Sequence, residues 1–132
     1  MSPWIVLVTM AALLLYFYMG LQVGGARQKH GVKAPAITGN PDFERVFRVQ
    51  MNTLEWLPIF LPSLWICAAY WNPTYVAVIG LVWITGRVMY MEGYKRAADQ
   101  RSMGFLVQGL ATLALIIGSL IGAIMSLLPA AT

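Results

Sequence analysis

The stretch Phe43-Glu-Arg-Val-Phe-Arg-Val-Gln-Met-Asn-Thr-Leu-Glu55, continued by the apolar run 56–71, decides the fold. Arg45, Arg48, Asn52 and Glu55 are spaced by three or four residues, so a helix puts all of them on one face. The run after Glu55 is almost wholly apolar, and a helix over 43–70 is long enough to cross a hydrocarbon core of about 30 Å. The segment therefore predicts a transmembrane helix that carries polar groups inward from one membrane surface. Asn40-Pro41 with the acidic Asp42 and Glu44 suits its first turn, and Asn72-Pro73 closes it.

Working outward, three further apolar stretches are predicted as spans, at about 3–26, 74–96 and 102–128. The first has no basic residue before it and is read as a retained span rather than a signal peptide. Hydrophobic residues make up 59% of the 132 and charged residues 11%, outside the usual soluble balance, and the spans leave little for a separate soluble domain. The expectation is one domain over 1–132, an all-α integral membrane bundle of four transmembrane helices. Gly20-Leu-Gln-Val-Gly24 and Gly118-Ser-Leu-Ile-Gly122 have the spacing that lets helix backbones approach closely in lipid.

All nine Lys and Arg (Arg27, Lys29, Lys33, Arg45, Arg48, Arg87, Lys95, Arg96, Arg101) fall in the first or third loop or on the adjoining helix halves. The positive-inside rule then puts those loops in the cytoplasm and both termini on the opposite side. The net charge of +4 does not point to nucleic acid, because the basic residues are interleaved with apolar runs. Cys67 lies in an apolar run and is expected to pack as a small apolar residue, and His30 is a lone loop histidine. No metal-ligand spacing, phosphate-cradling glycine loop or Ser/His/Asp set occurs, so no metal is expected.

The third span repeats the stripe of the second, with Arg87, Tyr90 and Tyr94 at helical spacing and Arg101 near that face if the helix continues. At about 1.5 Å per residue, Glu55 lies roughly 18 Å past Phe43 and Arg87 roughly 21 Å before Arg101, so the two could meet as an ion pair that fixes helix register. Arg48, Glu55 and Arg87 cost about 3 kcal/mol each in a bilayer centre, about 9 kcal/mol together, unless paired or hydrated. Arg48, Asn52, Tyr90, Tyr94 and Arg101 supply more donors than one carboxylate needs. The surplus points to a polar pocket for an anionic, water-soluble ligand.

These residues resemble the MAPEG family, the membrane-associated proteins of eicosanoid and glutathione metabolism, most closely its leukotriene-forming and microsomal glutathione transferase members. The resemblance rests on Phe43 to Glu55 with Pro58, and on Gly86-Arg-Val-Met-Tyr-Met-Glu-Gly-Tyr-Lys-Arg96 onward to Arg101. It implies a homotrimer with glutathione between protomers near the cytoplasmic surface. At the matching positions Arg27, Arg48, Gln50, Asn52, Glu55, Tyr90 and Tyr94 would bind glutathione, and Arg101 would be catalytic, facing its sulfur. One departure is Trp56, where the leukotriene-forming members carry a tyrosine.

The resemblance thus implies a glutathione transferase that conjugates the thiolate to hydrophobic electrophiles or lipids, with possible peroxidase activity toward lipid hydroperoxides. Glutathione would be co-substrate, and the location a bacterial inner membrane or the endoplasmic reticulum, with the active site facing the cytoplasm. A non-catalytic lipid-binding or scaffold protein of the same fold is the alternative. A small multidrug transporter fits less well, because the first span carries no charge.

Overall fold

A computed structural model of the chain describes residues 1–130. Four long helices follow one another: α1 (Pro3–His30), α2 (Pro41–Tyr70), α3 (Pro73–Arg96) and α4 (Ser102–Leu127), with a 3-10 turn over Ala98–Arg101 before the last. All are long and apolar enough to cross a membrane. With 28 and 30 residues, α1 and α2 reach about 42 and 45 Å, so each overruns a hydrocarbon core of about 30 Å by two turns or more. That overrun is where their charged ends lie.

Local chemistry sets the boundaries. Asn40 caps α2, its side-chain oxygen accepting from the amides of Asp42 (2.9 Å) and Phe43 (3.1 Å). Asn72 does the same for α3 by accepting from Thr74 (2.9 Å), and a proline follows each cap at the position where a missing N–H costs nothing. Helix α1 continues through Arg27 to His30, with its cations over the negative end of the helix dipole, and stops at Gly31, whose φ of 68° lies in the left-handed region. Helix α2 runs unbroken through Pro58 and Pro62.

The four helices enclose an apolar core. Phe60 of α2 lies flat against Trp83 of α3, with centroids 3.9 Å apart and planes within 2°. Ile5, Val8 and Ala12 from α1 and Leu115 from α4 close around this pair. Two indoles tie neighbouring helices by hydrogen bonds: Trp65 donates to the Thr9 hydroxyl at 3.0 Å, and Trp71 to the Gly118 carbonyl at 2.8 Å. Leu7, Leu14, Phe17 and Leu21 on α1 and Leu106, Leu110 and Leu113 on α4 point outward. Facing lipid, they contribute nothing to helix association, which rests on close packing and interhelical hydrogen bonds.

The closest approach is between α3 and α4. A Cβ at Gly104 would stand 2.2 Å from the Tyr90 nitrogen and 2.7 Å from the Gly86 carbonyl oxygen, and a Cβ at Gly86 2.6 Å from the Gln108 nitrogen. Neither glycine belongs to the spaced pairs singled out in the sequence. Of those pairs, Gly118 and Gly122 receive Cys67 and Tyr70 of α2, whereas Gly24 has nothing within 4 Å.

Gly104→Ala is expected to force these backbones apart and to destabilise the protein by about 1–3 kcal/mol. Gly109→Ala, where the added methyl meets nothing within 4 Å, should be neutral or stabilising through helix propensity. Thermal unfolding of both variants in detergent, read by circular dichroism, checks the contrast.

Candidate functional site

The polar residues of α2 and α3 meet in a cavity of about 520 Å³ at the end of the bundle where the 3-10 turn joins α3 to α4. Arg48 and Asn52 line it from α2 and Tyr90 and Tyr94 from α3, while Arg101 and Ser102 come from the turn and the start of α4. Phe105 and Leu106 of α4 form an apolar wall.

Helical spacing delivers most of this set. Arg48 and Asn52 lie one turn apart on α2, and Tyr90 and Tyr94 one turn apart on α3, with ring centroids 5.4 Å apart. Arg101 arrives by a different route from the expected continuation of the third helix. Helix α3 ends at Arg96, the chain reverses through the 3-10 turn, and the Arg101 guanidinium comes to lie 5.4 Å from the Tyr94 ring centroid. Its Nη1 also donates to the Ala98 carbonyl. The reversal is tight because Gly93 has no side chain: a Cβ there would be 2.2 Å from the Gln100 carbonyl oxygen.

The charges pair differently from the expected Glu55–Arg87 ion pair. Glu55 is held by Arg48 two turns earlier on the same helix, with Nη1 to Oε1 at 2.7 Å and Nη2 to Oε2 at 3.4 Å. Both side chains face outward, Arg48 47% and Glu55 53% exposed. Arg87 points the other way and is completely buried between helices. Its Nη1 donates to Asn52 Oδ1 at 2.9 Å and its Nη2 to Thr53 Oγ1 at 2.7 Å. The Tyr90 ring centroid lies 4.4 Å from its guanidinium carbon. An extended Arg48 spans the two turns to Glu55 along one helix face, whereas Arg87 projects from the buried face of α3, where α2 presents neutral oxygens.

Of the residues singled out in the sequence, Arg48, Asn52, Tyr90, Tyr94 and Arg101 line one cavity, and Glu55 lies beside it through Arg48. Arg27 and Gln50 stand apart from it within the chain. Arg27 donates to the Ala36 carbonyl at 2.7 Å and lies over the Phe43 ring, and Gln50 faces Gly20 of α1. Trp56, the departure noted above, packs edge-on against Phe105 with centroids 5.5 Å apart. Sequence reasoning passed over Thr53, Ser102, Phe105 and Leu106. Thr53 carried a faint signal as a hydroxyl beside Asn52 on a polar helix half, but Phe105 and Leu106 read like any apolar residues of a span.

The sequence profile of the MAPEG family matches residues 5–121. This chain belongs to the MAPEG family. With its four long apolar helices, it is a multi-pass integral membrane protein. It is 49% identical over 118 residues to an uncharacterized protein of Synechocystis sp., covering 89% of this chain and 86% of that one. It is 47% identical over 104 residues to microsomal glutathione S-transferase 2 of Homo sapiens, covering 78% of this chain and 71% of that protein. Leukotriene C4 synthase of Cavia porcellus is 39% identical over 124 residues, covering 94% of this chain and 83% of that protein.

Within this MAPEG chain, Thr53→Val removes the acceptor of Arg87 Nη2 while keeping the side-chain shape. A buried charged donor left unpaired should cost about 1.5–3 kcal/mol. Ser63→Ala, which removes an exposed hydroxyl bonded only to its own helix at the Ile59 carbonyl, should cost much less. Comparing the two melting midpoints in detergent tests whether the buried guanidinium needs both oxygens.

Proposed function

We propose that this MAPEG protein is a membrane-bound glutathione transferase that joins the glutathione thiolate to hydrophobic electrophiles. The observation that carries the reading is the convergence of Arg48, Asn52, Tyr90, Tyr94 and Arg101 on one cavity with an apolar wall of Phe105 and Leu106. Its volume of about 520 Å³ falls within the roughly 300–1,000 Å³ usual for small-molecule sites. Microsomal glutathione S-transferase 2 and leukotriene C4 synthase, named above, support the same reading at the level of the family.

Glutathione carries two carboxylates, which Arg48 and the neighbouring donors would hold, while Arg101 faces the sulfur. A free thiol has a pKa of about 8.5, so near neutrality only a few per cent is thiolate. A fixed guanidinium stabilises the anion and raises that fraction as the thiol proton passes to water. The thiolate then forms a carbon–sulfur bond with an electrophile arriving along Phe105 and Leu106 from the lipid, and the leaving group departs with the electron pair of its broken bond. With a lipid hydroperoxide as electrophile, the same thiolate attacks the terminal oxygen instead, the O–O bond breaks and the alkoxide takes a proton to leave as the alcohol. A second glutathione then displaces water from the glutathione sulfenic acid to give glutathione disulfide.

The assembly belongs to the same proposal. An Arg48–Glu55 pair about half exposed on the flank of a membrane-crossing helix is poorly placed against lipid, and a second copy of the chain would cover it. In a homotrimer, Arg27 and Gln50, which stand apart from the cavity within one chain, would complete the site of a neighbour. The clustering of Lys and Arg near this end of the bundle supports a site that opens to the cytoplasm, in a bacterial inner membrane or the endoplasmic reticulum. A purely lipid-binding scaffold has no use for Arg101 at the cavity.

Arg101→Ala should lower kcat/KM toward a small aromatic electrophile about a hundredfold while glutathione still binds. Its rising pH limb should move up toward about 8.5, because without the cation the thiol ionises only near its ordinary value. Thiolate absorbance in the ultraviolet and pH–rate profiles of parent and variant measure both effects. Unchanged turnover in the variant, or no glutathione binding by the parent, refutes the assignment.

A further inference from the structure

The Arg87 guanidinium of the polar stripe lines no part of the cavity, yet it bonds directly to a residue that does. It is completely buried, and its partners are the neutral oxygens of Asn52 and Thr53 rather than a carboxylate. A guanidinium in such a place is costly in a bilayer, and a structural role alone would be met more cheaply by an apolar side chain of similar volume.

The chemistry of the contact gives it a consequence at the cavity. A guanidinium has five N–H donors and no acceptor, so the atom of the Asn52 amide that faces Arg87 must be its oxygen. The amide is planar, and with Oδ1 held at 2.9 Å its NH2 group is turned away from Arg87. Asn52 lines the cavity, and its Nδ2 donates to no other protein group among the described residues. The cavity therefore receives two N–H donors from Asn52 and no acceptor.

Arg87 is itself fixed. Its Nη2 is anchored on Thr53 at 2.7 Å, and its guanidinium carbon lies 4.4 Å from the Tyr90 ring centroid and 6.0 Å from that of Trp83. The fork therefore holds the amide in one of its two orientations without touching the ligand.

We infer that Arg87 is a positioning residue that locks the Asn52 side chain as a hydrogen-bond donor toward the cavity, selecting ligands that present a carboxylate or carbonyl oxygen there. The inference rests on the proposed glutathione site and adds the residue that sets its hydrogen-bonding polarity. Arg87→Gln replaces the donor-only guanidinium with an amide that can face Asn52 with either its NH2 group or its oxygen. Asn52 is then free to turn its oxygen to the cavity, against the ligand's own oxygen.

A double-mutant cycle on the full-length protein in detergent, with glutathione titrated by calorimetry, tests the coupling. Arg87→Gln should weaken Kd about tenfold, the loss of one charge-assisted hydrogen bond. Asn52→Ala should weaken it at least as much, and adding Arg87→Gln to Asn52→Ala should change nothing further. A full tenfold loss from Arg87→Gln in the Asn52→Ala background overturns the inference, because Arg87 would then act through its charge or through the fold. Should Arg87→Gln not fold, Asn52→Asp serves: it keeps the acceptor for Arg87 and removes the donor to the ligand. Its melting midpoint should be maintained while glutathione affinity falls about tenfold or more, and parent-like affinity overturns the inference. A parent that binds no glutathione overturns the proposed function, and this inference with it, whereas a parent that binds and a cycle that shows no coupling overturns the inference alone.

Discussion

Backbone contact between α3 and α4 is the constraint on which the rest of the site depends. At Gly86 and Gly104 there is no space for even one methyl group, and Gly93 repeats the condition where α3 gives way to the 3-10 turn. Lipid outside the bundle gives apolar side chains no reason to hide, so close contact of this kind, with hydrogen bonds between helices, does the joining. Once the two helices are seated, Tyr90 and Tyr94 on one and Phe105 on the other are fixed across the cavity, and Arg101 is brought to its edge.

Two guanidinium groups near Asn52, Arg48 one turn away on α2 and Arg87 bonded to it from α3, have opposite surroundings. Arg87 turns inward, fully buried, and depends on neutral oxygens from α2. Arg48 turns outward and takes the carboxylate of Glu55 along its own helix. The division separates two physical tasks: the inner cation organises the protein's own donors, and the outer one presents charge where solvent, ligand or another copy of the chain can meet it. Asn52 stands between them, bonded to the first and lining the same cavity as the second.

Much of this was legible in the sequence. The four helices follow from lengths and apolarity that only a membrane rationalises, and Asn40-Pro41 marked the entry to α2, whereas Asn72-Pro73, read only as the end of that helix, also caps α3. Five of the eight singled-out site residues line one cavity, and four of them, Arg48 with Asn52 and Tyr90 with Tyr94, do so as helical spacing requires, since spacing by three or four is a geometric statement before any fold is known. What spacing along one helix leaves open is rotation relative to the next. Depth along the membrane allowed Glu55 to meet Arg87, but rotation turned one outward and the other inward. The glycine contact was hidden for the same reason: Gly86 and Gly104 lie on different helices, so no local pattern links them. The path of Arg101 depended on how the chain turns between α3 and α4, which spacing along α3 does not specify.

The tight α3–α4 contact also divides the surface of the protein by how freely it can change. Outward positions such as Leu7, Leu14 and Phe17 need only be soluble in hydrocarbon, and many residues meet that requirement equally well. At Gly86, Gly93 and Gly104 the requirement is on volume, and a single carbon atom exceeds it. A lineage could thus replace most of its lipid-facing exterior while remaining the same machine, yet have almost no latitude along one narrow line through its interior.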